Sequence, residues 1–305
     1  MITNEPPSGF EPITASPTAV PGTINELPQR PITPDNPPWG TVKAGIIWVL
    51  SVACLVFVPL LLVIPYLVYL MSQFGRLSAE ELGSNKTLLF LSILGVVPAH
   101  ILTVGIAWAV VTNWGRYPFF ATLGFSWPKS WGPVKGTLLC IGLAVLLLAM
   151  GGIITTLIGG TKTQLDLIIE SSAATRITVA LLSFLTAPFV EELIYRGIVY
   201  PAVARLTGAG WAIAIVSVLF AGVHYVQYKN NLGVVLVILI LSIVLTTLRA
   251  VSGSLLPSFM LHLIFNGLQS VFLLLQPLLE KWYQQLAPVK TPTGILLQHA
   301  LSLLR

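Results

Sequence analysis

The sequence predicts an all-α, polytopic membrane helix bundle of about seven transmembrane helices, and three observations predict it. Of the 305 residues, 55% are hydrophobic and only 9% are charged, whereas a soluble domain carries roughly a quarter charged residues. A chain this poor in charge cannot cover itself with a solvated surface. The apolar residues also gather into runs near the ~20 residues that a helix needs to cross a bilayer. Finally, the stretch TNWGRYPFFATLGFSWPKSWGPVKG mixes aromatics with scattered cations, a composition that suits the headgroup zone.

The elements follow in order. Residues 1–42 are rich in Pro, Thr and Asn and lack the apolar core of a signal peptide. They cannot bury enough apolar surface to fold alone and are expected to form a disordered Pro-rich tail. The bundle is expected over residues 43–275, with apolar runs at about 44–71, 88–111, 137–158, 177–206, 211–228, 232–248 and 254–275. Pro59 and Pro65 should tilt or kink the first. LTGAG, around Gly208, makes a tight turn between the fourth and fifth. The tail over 276–305 includes TGILLQHALSLL, too short to span and expected as an eighth, interfacial or C-terminal helix.

The net charge of +5 is spread along the loops, with no basic block that reads as nucleic-acid binding. Cys54 and Cys140 sit in apolar runs as buried thiols, so no disulfide framework is implied. The expected setting is the lipid bilayer, as an integral multi-pass protein, in the cell membrane if the source is a prokaryote. The cations divide too evenly between the two sides for the positive-inside rule to assign an orientation.

Against this background the polar residues within the spans stand out, because each ionisable group in a bilayer core costs roughly 2.5–3.5 kcal/mol on insertion scales. Glu191, Glu192 and Arg196 lie in the fourth run, His224 in the fifth, and His262 with Asn266 in the seventh. One membrane histidine is readily a structural residue, but the whole set is hard to read that way. Glu192 lies sixteen residues before Gly208 and His224 sixteen after it, so a hairpin there brings both to one depth, about 24 Å from the turn at 1.5 Å per residue. Glu192 and Arg196 are spaced i,i+4 and can pair, as are His262 and Asn266. Glu191 points about 100° away from Glu192, so the two should have different jobs. Pro188, just ahead, can open the helix backbone.

Two chemistries stay open for such a set. A carboxylate and a histidine at one depth can activate water as a general base, with Asn and a second His donating to an oxyanion. Alternatively one Glu and two His could hold zinc with a water in the open position; Glu191, His224 and His262 are the candidate ligands. Both schemes hydrolyse an amide. Ser217 and Ser254 read as polar glue between helices rather than as nucleophiles.

The residues also match a known pattern. EELIYR (Glu191 to Arg196), FAGVH (Phe220 to His224) and HLIFN (His262 to Asn266) stand in order, and the chain over about 177–270 resembles the CPBP family of intramembrane proteases, the CAAX prenyl protease or abortive-infection group. The resemblance implies an all-helical fold with a catalytic core over that stretch. It implies Glu191 as principal catalytic glutamate acting with His224 on water, Glu192 paired with Arg196 as support, and His262 with Asn266 as oxyanion donors. The family has been described both as metal-dependent and as glutamate-type; the i,i+4 His/Asn pair suits the scheme without a cofactor better. The expected activity is endopeptidase cleavage of a membrane-associated peptide or a lipidated protein. A non-proteolytic scaffold or toxin-immunity protein on the same fold is the alternative. A proton-coupled transporter is a third reading, set back by the lack of internal repeats.

Overall fold

The structure is a computed structural model and describes residues 31–286. The interfacial helix expected within 287–305, and the tail before residue 31, lie outside the described residues. Among the described residues thirteen α-helices follow in order, three of them joined through two π-helical segments: α1 (Thr41–Phe74), α2 (Ala79–Ser84), α3 (Lys86–Leu94), α4 (Val96–Val111), α5 (Phe119–Leu123), α6 (Gly132–Ile158), α7 (Gln164–Ser171), α8 (Ala173–Leu181), a first π segment (Leu182–Thr186), α9 (Ala187–Glu192), a second π segment (Leu193–Val199), α10 (Tyr200–Thr207), α11 (Ala209–Tyr228), α12 (Leu232–Ser252) and α13 (Leu255–Leu286). The described residues contain no strand, only an isolated bridge between Thr33 and Asn36.

Seven helical spans among these residues are long and apolar enough to cross a membrane: α1, α3 with α4, α6, α8 through α10, α11, α12 and α13. The expected bundle is therefore present, and its seventh span runs past the anticipated end near 275, through Pro277, to residue 286. Loop-side signals set the helix starts. Ser78 with Glu81 and Thr163 with Asp166 form reciprocal capping boxes for α2 and α7, satisfying backbone N–H groups that have no partner in the first turn. Asn85, Ser172 and Asn231 cap α3, α8 and α12 with single side chains.

Two glycines fix how the spans meet. Gly208 takes a positive φ of 82° between α10 and α11, a conformation that side chains resist, and this folds the hairpin that the sequence places there. Gly95 lies at the α3–α4 junction, where an added Cβ would stand 2.5 Å from the Cα of Pro59. Only glycine lets α1 cross this closely. In the bundle, α12 packs between α11 and α6, and α13 packs on α6, α12 and the α8–α9 stretch. The buried core centres on Leu193, Ile194, Ile198, Val216, Phe220 and Leu255.

Residues 32–40 belong to this bundle, although their composition reads as tail. Trp39 is buried and donates its Nε1–H to the Ile198 carbonyl at 3.1 Å. Asp35 pairs with the buried Arg249 at 2.8 Å, and the Pro34 carbonyl accepts from the same guanidinium. Arg205 donates to the carbonyls of Pro37 and Trp39. Carbonyls and one carboxylate thus hold two arginines at the ends of α10 and α12, with the buried Nε of Arg249 left without a partner among the described residues. The segment is a strap, set by contacts that lie far away in the sequence.

Candidate active site

The fourth span departs from α-helical geometry twice, and both departures end at a proline. At the first, the N–H of Ala187 bonds to Leu182 O, five residues back. Pro188 follows and has no N–H to give. Ser183 O thereby loses both its regular partner, Ala187 N–H, and the next one along. It accepts instead from the side-chain amide of Asn266 on α13, at 3.0 Å. At the second, the N–H of Tyr200 bonds to Tyr195 O, and Pro201 follows. Wide turns of this kind recur at functional sites. Here they bracket Glu191, Glu192 and Arg196.

The two adjacent glutamates face different surroundings, as their 100° separation predicts. Glu192 has a side chain 1% exposed, against 22% for Glu191. Glu192 Oε1 accepts from Arg196 Nη1 at 2.7 Å and from His262 Nδ1 at 2.9 Å. Arg196 is wholly buried and also donates to Ser242 Oγ (2.7 Å), Ser242 O (3.3 Å) and Thr246 Oγ1 (3.2 Å) on α12. Its guanidinium carbon lies 4.6 Å from the centroid of Phe220, close enough for a cation–π contact. A buried charge is tolerable only when paired and hydrogen-bonded, and Arg196 meets both conditions.

Glu191 faces the other way, into a cavity. One of its carboxylate oxygens lies 3.9 Å from His224 Nε2 and the other 3.6 Å from His262 Nε2. The protonation of each ring follows from its other nitrogen. His224 Nδ1 is 2.8 Å from the Phe220 carbonyl, which can only accept, so Nδ1 carries hydrogen. His262 Nδ1 faces the Arg196-bound carboxylate, so it too donates. Both Nε2 atoms are therefore turned toward Glu191. The Phe220 ring packs against both imidazoles, with centroids at 4.7 and 6.1 Å, which explains a phenylalanine four residues before His224. The structure thus brings all six sequence-identified residues to one place. Glu191 rather than Glu192 meets His224, because the wide π turns shift the register that a regular helix would give.

Sequence reasoning missed several residues here. Ser242 and Thr246 lie in a span that reads as wholly apolar glue. Ser183 contributes only its backbone. His100, on α4, lines the same cavity as Glu191; it belongs to none of the three motifs, and its presence in an apolar run is the only signal that could have found it.

The cavity holds about 1220 Å³. Its walls include Leu55, Val56, Ile153 and Leu157, all also exposed on the outer surface of the bundle. Its far end is polar, with Thr163, Asp166 and Asn231. These lie at the loop side opposite the strap and the Gly208 turn. Glu191, His224 and His262 have suitable donor atoms, but among the described residues no three His, Cys, Asp or Glu side chains converge as a group that could hold a metal ion. His262 is held by Glu192 instead.

A partly buried carboxylate thus stands between two oriented histidines, inside a multi-pass bundle and open to a large cavity. Residues 173–268 match the family model Rce1-like, described as type II CAAX prenyl endopeptidase Rce1-like, and this stretch is a domain of that family, consistent with a CPBP intramembrane protease. All six site residues fall inside it. No curated protein and no solved structure matches the chain. With its seven spans, the chain is an integral multi-pass membrane protein, and the family model matched over residues 173–268 is one of CAAX prenyl endopeptidases.

Proposed function

We propose that the protein is a glutamate-type intramembrane endopeptidase in which Glu191 and His224 activate the attacking water. The observation that carries this reading is the Glu191 carboxylate, set in the cavity with His224 Nε2 at 3.9 Å and His262 Nε2 at 3.6 Å. A water seated beside Glu191 and His224 would give its proton to the pair as it attacks the scissile carbonyl. The oxyanion would be met by the Asn266 amide hydrogen that Ser183 leaves free and by His262 Nε2–H. His262 Nδ1 is committed to Glu192, which fixes the ring so that Nε2 faces the reacting centre. The proton held by the Glu191–His224 pair then passes to the leaving amine as the C–N bond breaks, restoring the site. Arg196 and Glu192 hold His262 in place and do not touch the reacting atoms.

The substrate on this reading is a membrane-associated peptide or the end of a lipidated protein. Support comes from the cavity, whose volume exceeds the roughly 300–1,000 Å³ usual for small-molecule sites, and whose apolar walls reach the membrane-facing surface while its far end is polar. A proteomic comparison of wild type with Glu191→Gln identifies the substrate class. Purified Glu191→Gln and His224→Ala, reconstituted in vesicles with a membrane-anchored peptide, are expected to lose at least about 100-fold in kcat, the lower range for general-base removal, with unchanged thermal stability. Full activity in both variants sinks the assignment. A cellular phenotype that survives Glu191→Gln would favour the scaffold or immunity reading instead.

A further inference from the structure

We propose that His100 is a positioning residue of this site, acting through Thr186 to hold the first π segment in the register that orients Asn266. The inference rests on the proposed peptidase reading for its assay. His100 comes from α4, outside the matched domain and outside the three motifs, and is only 6% exposed. Its Nδ1 lies 2.9 Å from Thr186 Oγ1. The Thr186 hydroxyl donates to Leu182 O at 3.3 Å, so its single hydrogen is committed and His100 Nδ1–H is the donor between them. Leu182 O is also the atom that receives the diverted N–H of Ala187. A line of hydrogen bonds therefore runs from α4 through Thr186 to the carbonyl that closes the wide turn.

That wide turn is what releases Ser183 O to Asn266. If the segment relaxed to regular α-helix, Ala187 N–H would return to Ser183 O and compete with the Asn266 amide. His100 braces the turn from α4, and Asn266 reads out its register from α13. A histidine that is merely a satisfied core residue would stabilise the fold without reaching the chemistry; the shared π turn is the feature that separates the two roles.

The test uses the full-length protein in vesicles with a membrane-anchored peptide, comparing His100→Ala, His100→Asn, His100→Gln, Thr186→Val and the His100→Ala/Thr186→Val pair. Asn can present an amide N–H near the Nδ1 position, whereas Gln reaches toward Nε2. The expected result is a kcat about 10- to 100-fold lower for His100→Ala and Thr186→Val, within the range for disturbing one oxyanion donor, with KM changed less than about threefold. His100→Asn should recover to within about fivefold of wild type and His100→Gln should not. The double variant should be no worse than the poorer single one, because both break one chain of contacts. Recovery by Gln instead of Asn, additive losses in the pair, or lowered thermal stability with kcat intact each overturn the proposal. Where His100→Ala fails to fold, Thr186→Val, nearly isosteric, decides the same question. Inactivity of the wild type itself, or full activity of Glu191→Gln, would count against the peptidase reading and not against the brace.

Discussion

Replacing Arg196 by methionine tests the view that a fully paired charge organises the site. The substitution keeps much of the side-chain volume and removes every donor. Glu192 then keeps only the His262 contact for a carboxylate that is 1% exposed. Breaking one partner of a buried ion pair costs about 3–5 kcal/mol. The losses at Ser242 and Thr246 add little, since Thr246 Oγ1 still donates to Ser242 O at 2.7 Å. With a shift of about 2–4 °C per kcal/mol for chains of this order of size, thermal unfolding in detergent should fall by roughly 10–15 °C. Arg196→Met combined with Glu192→Gln removes both charges and should regain more than half of that shift, while His262, no longer held at Nδ1 by the Glu192 carboxylate, leaves peptidase activity low. A single-variant shift below about 3 °C, or a double variant less stable than the single, would refute the idea that Glu192 depends on Arg196. Activity restored along with stability in the double variant would refute the role given to Glu192 in positioning His262.

Further outcomes follow from the same geometry. Pro188→Ala supplies a backbone N–H that can compete for Ser183 O, so kcat in the vesicle peptidase assay should fall about 10-fold or more with KM nearly constant and thermal stability equal or higher. Chelator treatment and metal analysis of purified protein bear on the zinc alternative; the glutamate scheme expects activity unchanged by chelation and substoichiometric metal, and loss of activity restored by added zinc would overturn it. Asp35→Ala strips the carboxylate partner from the buried Arg249 and should lower thermal stability by about 1–3 kcal/mol while leaving KM for the peptide unchanged.

The spans, and the grouping of six polar residues within them, were legible because both rest on local rules. Apolar runs report membrane crossing directly, and charged residues inside such runs are too costly to be incidental. The 100° step between Glu191 and Glu192 foretold that the two would have different jobs. What stayed hidden depends on partners far along the chain. Pro188 signals an opened backbone, but that Asn266 takes up the freed carbonyl follows only once α13 lies beside it. Ser242 and Thr246 look like ordinary polar residues of a membrane helix until Arg196 is placed against them. His100 has no motif spacing to betray it. Residues 32–40 look like a continuation of a polar tail, and their order comes from Arg205 and Arg249, arginines that no local pattern links to them.

The strap also has a history during synthesis. Trp39 finds its acceptor, Ile198, 159 residues later, and Asp35 meets Arg249 after 214. As the chain leaves the ribosome, α1 must enter the bilayer with its leading segment unattached, and Arg249 must arrive without its counter-ion. Closure of the strap is therefore a late event of biogenesis, open only to chains whose sixth span is already in place. Until then the leader stays free, because Trp39 and Asp35 lack the partners that only the finished bundle supplies.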